Sequence, residues 1–303
     1  MPHVQVDGIT IAYNESGAGD PVVFIHGAFI ADAFRPLLNQ SSLSNRYQLI
    51  TYHRRGYGGS SRVEGPISCE RQAADCQAVL KALRIAQAHV VGHSFGGSIA
   101  LQLALQASEL VGSLVLLEPA LFVGESSAAY RESLLRSSQT YKQRGAAIVM
   151  EEFLQARWPA YSRAELERVL PGSFEQAVAD AGTALEVDIG LVDWPVGPEQ
   201  AGRIAQPTLV VLGGGSEALH PRFGETYQSL LEWLPHAEGL VVPDATHLFQ
   251  LEGPDVASRL ADALVEFFLS TRCRDDNDSI HEDPGLPCDH TRSMFTPFAP
   301  IAL

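Results

Sequence analysis

The pentapeptide Gly92-His93-Ser94-Phe95-Gly96 constrains this chain more than any other feature, because of what stands on either side of it. The apolar run 88–91 reads as a buried strand, and the small-residue stretch 97–107 reads as a helix. A strand that turns directly into a helix places the serine between them at the tip of a tight bend. Glycines at both ends of the pentapeptide remove the Cβ clashes that such a bend creates. The pattern predicts a serine hydroxyl held out on a rigid turn.

Strand and helix patterns alternate around this turn. Residues 3–16 read as two short antiparallel strands about Asp7-Gly8. Strands are expected at 22–25, 49–52, 90–91 and 114–117, with helices at 35–38, 69–83 and 98–105. This alternation predicts an α/β fold: a mostly parallel sheet with helices on both faces. Between about 121 and 196 the strand signal stops, and helical patterns run over 130–141, 146–158, 163–170 and 174–189. An all-helical stretch inserted between two parallel strands reads as a cap over the C-terminal edge of the sheet. The sheet resumes at 207–212, followed by a helix at 222–233, a strand at 239–242 and a closing helix at 255–269. The expected division is a core of 1–121 and 197–271, a cap of 122–196, and a polar, mobile tail of 272–303 in which Met294 to Phe298 could dock.

Three further motifs fall in order around the serine. The strand 21–25 ends in His26-Gly27-Ala28-Phe29, the strand 49–52 leads into Arg54-Arg55-Gly56-Tyr57-Gly58-Gly59-Ser60-Ser61, and the strand 239–242 runs into Asp244-Ala245-Thr246-His247 with Leu251-Glu252-Gly253-Pro254 behind it. In combination these resemble the α/β-hydrolase superfamily over residues 21–254. The resemblance implies Ser94 as nucleophile, His247 as base, the amides of Ala28 and Phe95 as an oxyanion hole, and a mainly structural role for the Arg54 to Ser61 turn. A serine hydroxyl needs such a base, and the base a group that orients it.

The orienting acid departs from the common pattern. Many relatives place an aspartate in the loop after the strand that follows the cap, but that loop reads Gly213-Gly214-Gly215-Ser216-Glu217, with Glu217 its nearby acid. The alternative follows the strand before the cap, where Leu116-Leu117-Glu118-Pro119 puts Glu118 at the end of a rigid element. Haloalkane dehalogenases and fungal-type zearalenone lactonases carry a glutamate at that place. Glu118 is preferred and Glu217 kept as the alternative, against a structural role for Glu118 beneath the cap.

Substrate contacts are expected from Phe29, His53 at the mouth of the site, Met150, Phe153, Trp158, Trp194 and Leu248, although ordinary core packing is the better reading for each cap residue except Trp194. The segment Leu191 to Gly197 around Trp194 resembles a pocket segment of the zearalenone lactonases, which lack the other motif forms seen here. A serine in place of aspartate disfavours dehalogenation and epoxide opening. The expected function is hydrolysis of small apolar carboxylic esters or lactones without a cofactor. Carbon–carbon bond hydrolysis, cofactor-free perhydrolysis and, as a minor reading, zearalenone lactone opening are the other reactions, and a ligand sensor that keeps the triad is the non-enzyme alternative.

The formal net charge of −15 disfavours nucleic acid and anionic membranes as partners, leaving a small-molecule substrate. The first eight residues lack a basic and an apolar region, and no apolar run reaches the roughly 18 residues of a span, so a cytoplasmic location is expected. Ten histidines show no metal-ligand spacing, and no metal is expected. Cys69 and Cys76 lie about 10 Å apart along one helix, beyond disulfide reach, and read as core thiols; Cys273 and Cys288 would pair only in an oxidising setting. No residue argues an oligomeric state, and a homodimer through the cap or last helices stays open.

Overall fold

The computed structural model describes residues 1–279, the last eight as backbone only. Strands β1 (His3–Val6), β2 (Ile9–Gly17), β3 (Asp20–Ile25), β4 (Tyr47–Tyr52), β5 (Ala88–His93), β6 (Val111–Leu117), β7 (Thr208–Gly213) and β8 (Ala237–Val242) form one sheet in the order β1-β2-β4-β3-β5-β6-β7-β8. The β1–β2 and β2–β4 pairs are antiparallel and the rest parallel.

Alternation along the parallel strands builds two cores. Val23, Ile25, Val90, Leu114, Leu116 and Val210 point to one face, where Ile99, Leu103, Cys69 and Cys76 cover them. Val22, Phe24, Val91, Val115, Leu117 and Val211 point to the other, against Leu260, Leu264 and Phe268. Successive side chains on a strand leave opposite faces, so a strand buried on both sides must be apolar throughout.

The parallel register decides what meets at the C-terminal edge. Ile25 pairs with Gly92, Gly92 with Leu116, and Leu116 with Val210. One to three residues beyond these stand His26-Gly27, Ser94, Glu118 and Gly213. Residues far apart in sequence therefore become neighbours through strand pairing alone.

Between β6 and β7 the described chain holds helices and turns, among them Ser127–Arg144, Ala146–Arg157, Arg163–Val169 and Ser173–Ala179. The expected helix 174–189 does not run through. It stops at Ala179 and continues as a π-helical segment, Thr183–Val187, and a 3-10 turn, Asp188–Leu191. The break lets three polar side chains reach the core. The Asp180 carboxylate accepts from the Gly58 amide at 3.0 Å and pairs with Arg62 at 2.6 Å, and the Thr183 hydroxyl donates to the Gly56 carbonyl at 2.7 Å. Asp188 receives two Arg54 donors at 2.8 Å each and the Tyr57 hydroxyl at 2.6 Å. Arg54 also donates to the carbonyls of His26 at 3.0 Å and Gly27 at 2.8 Å. One buried cation thus joins the loop after β3 to the cap. Replacing Asp188 with alanine is expected to lower unfolding stability by about 3–5 kcal/mol, because Arg54 would stay buried without its counter-charge. Chemical denaturation measures this, and a loss under about 1 kcal/mol would contradict it.

The closing helix, expected to end at 269, extends as Pro254–Ser279. The remainder of the expected tail, including Cys288 and the Met294 to Phe298 segment, lies outside the described residues, as does the side chain of Cys273. Cys69 and Cys76 are buried and unpaired. Among the described residues no helix is long and apolar enough to cross a membrane.

Candidate active site

Ser94 links β5 to the helix Phe95–Gln106 with φ 53° and ψ −122°, a conformation that L-residues rarely hold. Crowding on both sides enforces it. A Cβ on Gly92 would stand 2.4 Å from the Gly96 carbonyl oxygen, and one on Gly96 would stand 2.0 Å from that of Ile25. The backbone is pinned as well: the Ser94 amide donates to the Leu117 carbonyl at 3.0 Å, and its own carbonyl accepts from Ala120 at 2.9 Å.

His247 lies in the loop after β8 and is 1% exposed. Its Nε2 is 3.2 Å from Ser94 Oγ, and its Nδ1 is 2.8 Å from Glu118 Oε2. Glu118 Oε1 accepts from the Gly213 amide at 2.8 Å. Both carboxylate oxygens are therefore engaged, one by the imidazole and one by the loop after β7. Glu217 is exposed and lies along Gly224, away from His247. Burial pushes the Glu118 carboxyl upward, opposed by the Gly213 amide and the charge of Arg222. Burial also pulls the His247 imidazole well below its ordinary range, and the nearby charges of Arg222 and Arg157 pull it further. The imidazole is thus neutral at neutral pH, the form that can accept a proton.

The loop carrying His247 is braced by side chains. Glu252 accepts from the amides of Thr246 at 2.8 Å and Leu248 at 3.0 Å, one on either side of the histidine. His93 Nε2 donates to the His247 carbonyl at 2.7 Å, and His93 Nδ1 accepts from Gln250 at 3.3 Å. Burial, with the adjacent His247, brings the His93 imidazole down to about 3, so it stays neutral in this role. His26 is likewise a brace: its Nδ1 donates to the Gly27 carbonyl at 2.8 Å, and its Nε2 accepts from the Arg54 amide at 3.0 Å. Both imidazoles brace the site through their ring nitrogens.

Ser94 and His247 open into a cavity of about 340 Å³, bordered by Ala28, Phe29, Phe95 and the cap. Gly27 passes so close that a Cβ there would stand 3.0 Å from the Ser94 Cβ. Phe95 is the first residue of its helix, so its N–H has no intrahelical acceptor. Phe29 and Phe153 line the cavity with rings 4.6 Å apart. The other expected contacts lie elsewhere. On the helix Ala146–Arg157 the cavity stripe is Val149, Glu152, Phe153, Ala156 and Arg157, spaced as one helical face. Met150 turns into the cap core, where Trp158 and Leu248 also pack. Trp194 lies against the far end of the helix Phe95–Gln106, its indole N–H donating to Gln102 at 2.7 Å. His53 folds back under the turn after β4, accepting from the Gly59 amide at 2.9 Å and meeting Asp32 at 3.3 Å. Arg157 and Arg222, absent from the expected set, line the cavity instead.

Comparison with known proteins agrees with this architecture. A family model described as the alpha/beta hydrolase fold matches residues 20–254. The chain is 30% identical over 284 residues to a Mycobacterium tuberculosis protein named "Putative non-heme bromoperoxidase BpoC", covering 87% of this chain and 99% of that one. It is 27% identical over 226 residues to 3-oxoadipate enol-lactonase 2 of Acinetobacter baylyi, covering 74% and 80%. The structure of an enol-lactonase from Burkholderia xenovorans superposes with a TM-score of 0.71 at 21% identity, covering 88% and 100%, a likeness of fold. With its sequence matched from β3 to the start of the closing helix, the chain belongs to the α/β-hydrolase fold family.

Proposed function

We propose that this chain is a serine hydrolase of small carboxylic esters or lactones that works through an acyl-enzyme on Ser94. The observation that carries the reading is the line Ser94 Oγ, His247, Glu118, with separations of 3.2 and 2.8 Å, at the wall of a cavity under the cap. Ser94 Oγ attacks the acyl carbon and its proton passes to His247 Nε2. Glu118 holds the imidazole by Nδ1 and offsets the positive charge it acquires. The amides of Ala28 and Phe95 face the oxyanion, each such donor contributing about 2.7–4 kcal/mol to the transition state. His247 then returns the proton to the leaving oxygen, and a water repeats the sequence to free Ser94. In a lactone the leaving oxygen stays tethered to the acyl chain. The similarity to 3-oxoadipate enol-lactonase 2 supports this class of reaction.

A fluorophosphonate that labels activated serines tests the reading, run beside a panel of p-nitrophenyl esters and lactones. The expected result is one adduct per chain on the peptide holding Ser94, and many turnovers on part of the panel. An unlabelled Ser94 together with an unreactive panel would overturn it. One round of acylation without further turnover would favour the sensor.

A further inference from the structure

The cavity holds two guanidinium groups that no carboxylate of the described chain pairs with directly, although the charge of the buried Glu118 reaches both. Arg222 is 2% exposed, and its Nη1 is buried without a hydrogen-bond partner. Its Cζ lies 4.0 Å from the centre of the Tyr130 ring and 3.9 Å from that of Phe223, so aromatic faces hold the guanidinium while its polar edge stays uncommitted. Phe223 in turn packs on His247 at 4.9 Å between ring centres, which places Arg222 one ring away from the base. Arg157 lines the same cavity. Its main-chain carbonyl accepts from the Thr246 hydroxyl at 2.9 Å, next to His247, and its side chain lies over Phe153. Among the described residues neither guanidinium has an ion-pair or hydrogen-bond partner. Burial and the charge of Arg222 bring the Arg157 guanidinium down to about 10, opposed by Tyr130 and the Glu118 carboxylate.

The arrangement runs against the composition of the chain. With 36 acidic and 21 basic residues, carboxylates are abundant, and the other charges on the cavity wall are paired. Arg136 pairs with Glu132 at 2.8 Å, and Glu152 with Arg144 at 2.6 Å. An unpaired charge buried as fully as that of Arg222 is unfavourable unless a ligand completes it, and half-buried Arg157 stands beside it on the same cavity wall. A planar guanidinium held by its faces presents two parallel N–H groups along its edge, which suits a carboxylate.

We propose that Arg157 and Arg222 form a carboxylate-binding site, so that the ester or lactone cleaved at Ser94 belongs to a dicarboxylic acid and carries its second carboxylate free. This rests on the reading of Ser94 as nucleophile and adds the substrate class. The two cations also depress the basicity of His247, and a role confined to that would alter neutral and anionic substrates alike. The ratio between a matched pair of substrates separates the two roles.

The pair is p-nitrophenyl hemiglutarate and its methyl ester, which differ only in the free carboxylate. Wild type is expected to favour the acid by about tenfold or more in kcat/KM, and Arg157→Gln and Arg222→Gln each to lower that ratio by about tenfold, whatever happens to the absolute rates. Arg222→Lys should retain part of the preference. Should Arg222→Gln fail to fold, Arg157→Gln alone still decides, because that side chain is partly exposed and bonded to nothing else. Calorimetric titration with glutarate gives a readout without turnover: saturable binding to wild type that Arg157→Gln weakens about tenfold. Hydrolysis of both esters at similar rates would overturn the carboxylate site and leave the serine hydrolase standing. Glutarate bound through the arginines with neither ester cleaved would keep the site and remove the hydrolase. Absence of both preference and binding would overturn the site.

Discussion

Replacing Ser94 with alanine is expected to lower kcat on any cleaved ester by about 10⁴-fold or more, with the fold intact. The size follows from what the hydroxyl does in the proposed reaction. It supplies the atom that becomes covalently bound, and neither His247 nor the cavity can substitute for it. What remains without it is attack by water in a site that still holds the substrate and faces its oxyanion, which accounts for residual rates above the uncatalysed reaction. Structural damage should be small, because the backbone at this position is fixed by the crowding of Gly92 and Gly96 and by the Ser94 amide bond to Leu117. An alanine can occupy the same φ as the serine. Thermal unfolding should shift by no more than about 2 °C, in keeping with a change of a few tenths of a kcal/mol. A variant that keeps more than about 1% of wild-type kcat would remove Ser94 from the chemistry.

Changing Glu118 to glutamine is expected to lower kcat by about 10³- to 10⁴-fold, while Glu217→Gln leaves it within about twofold. The amide is nearly isosteric, and its oxygen can still accept from Gly213. It can also present an N–H to His247 Nδ1, which favours the tautomer with the proton on Nε2. That tautomer has no lone pair for the Ser94 proton. The lost negative charge also leaves the imidazolium without its counter-charge, with Arg157 and Arg222 close by. Glu217, exposed beside Gly224, has no line to the imidazole. Paired measurement of both variants on one ester decides this, and the reverse order would move the orienting acid to the loop after β7.

Much of this arrangement is legible before folding, for a definite reason. The bend at Ser94 is a local consequence of glycine placement, and parallel strands must be apolar throughout, so both leave marks within a few residues. Glu118 is legible because it directly follows a strand whose end is set by pairing. The cavity wall is less so. Met150 and Val149 are adjacent and equally apolar, and which of them faces the cavity depends on the rotation of a cap helix fixed by contacts outside it. Trp194 and His53 are suitable residue types in suitable segments, drawn elsewhere by Gln102 and by the turn at Gly58–Gly59. Asp180 and Asp188 break an otherwise helical pattern because their partners lie more than 100 residues upstream, and nothing local announces that. Arg157 shares a stripe with Phe153, and Arg222 opens the helix after Pro221. Their spacing was available in the sequence, but their lack of partners was not.

The bond from His93 to the His247 carbonyl has a mechanical consequence. The residue that immediately precedes the proposed nucleophile grips the main chain of the proposed base itself, so the two side chains are coupled directly. A fluctuation that tilts the bend carries the imidazole with it. Their separation is then set by a short covalent path and one hydrogen bond of 2.7 Å, rather than by the sum of thermal displacements across the four strands β5-β6-β7-β8. Alignment between the proposed nucleophile and base therefore rests on this direct link, while the Thr246 hydroxyl ties the same loop to the cap through the Arg157 carbonyl.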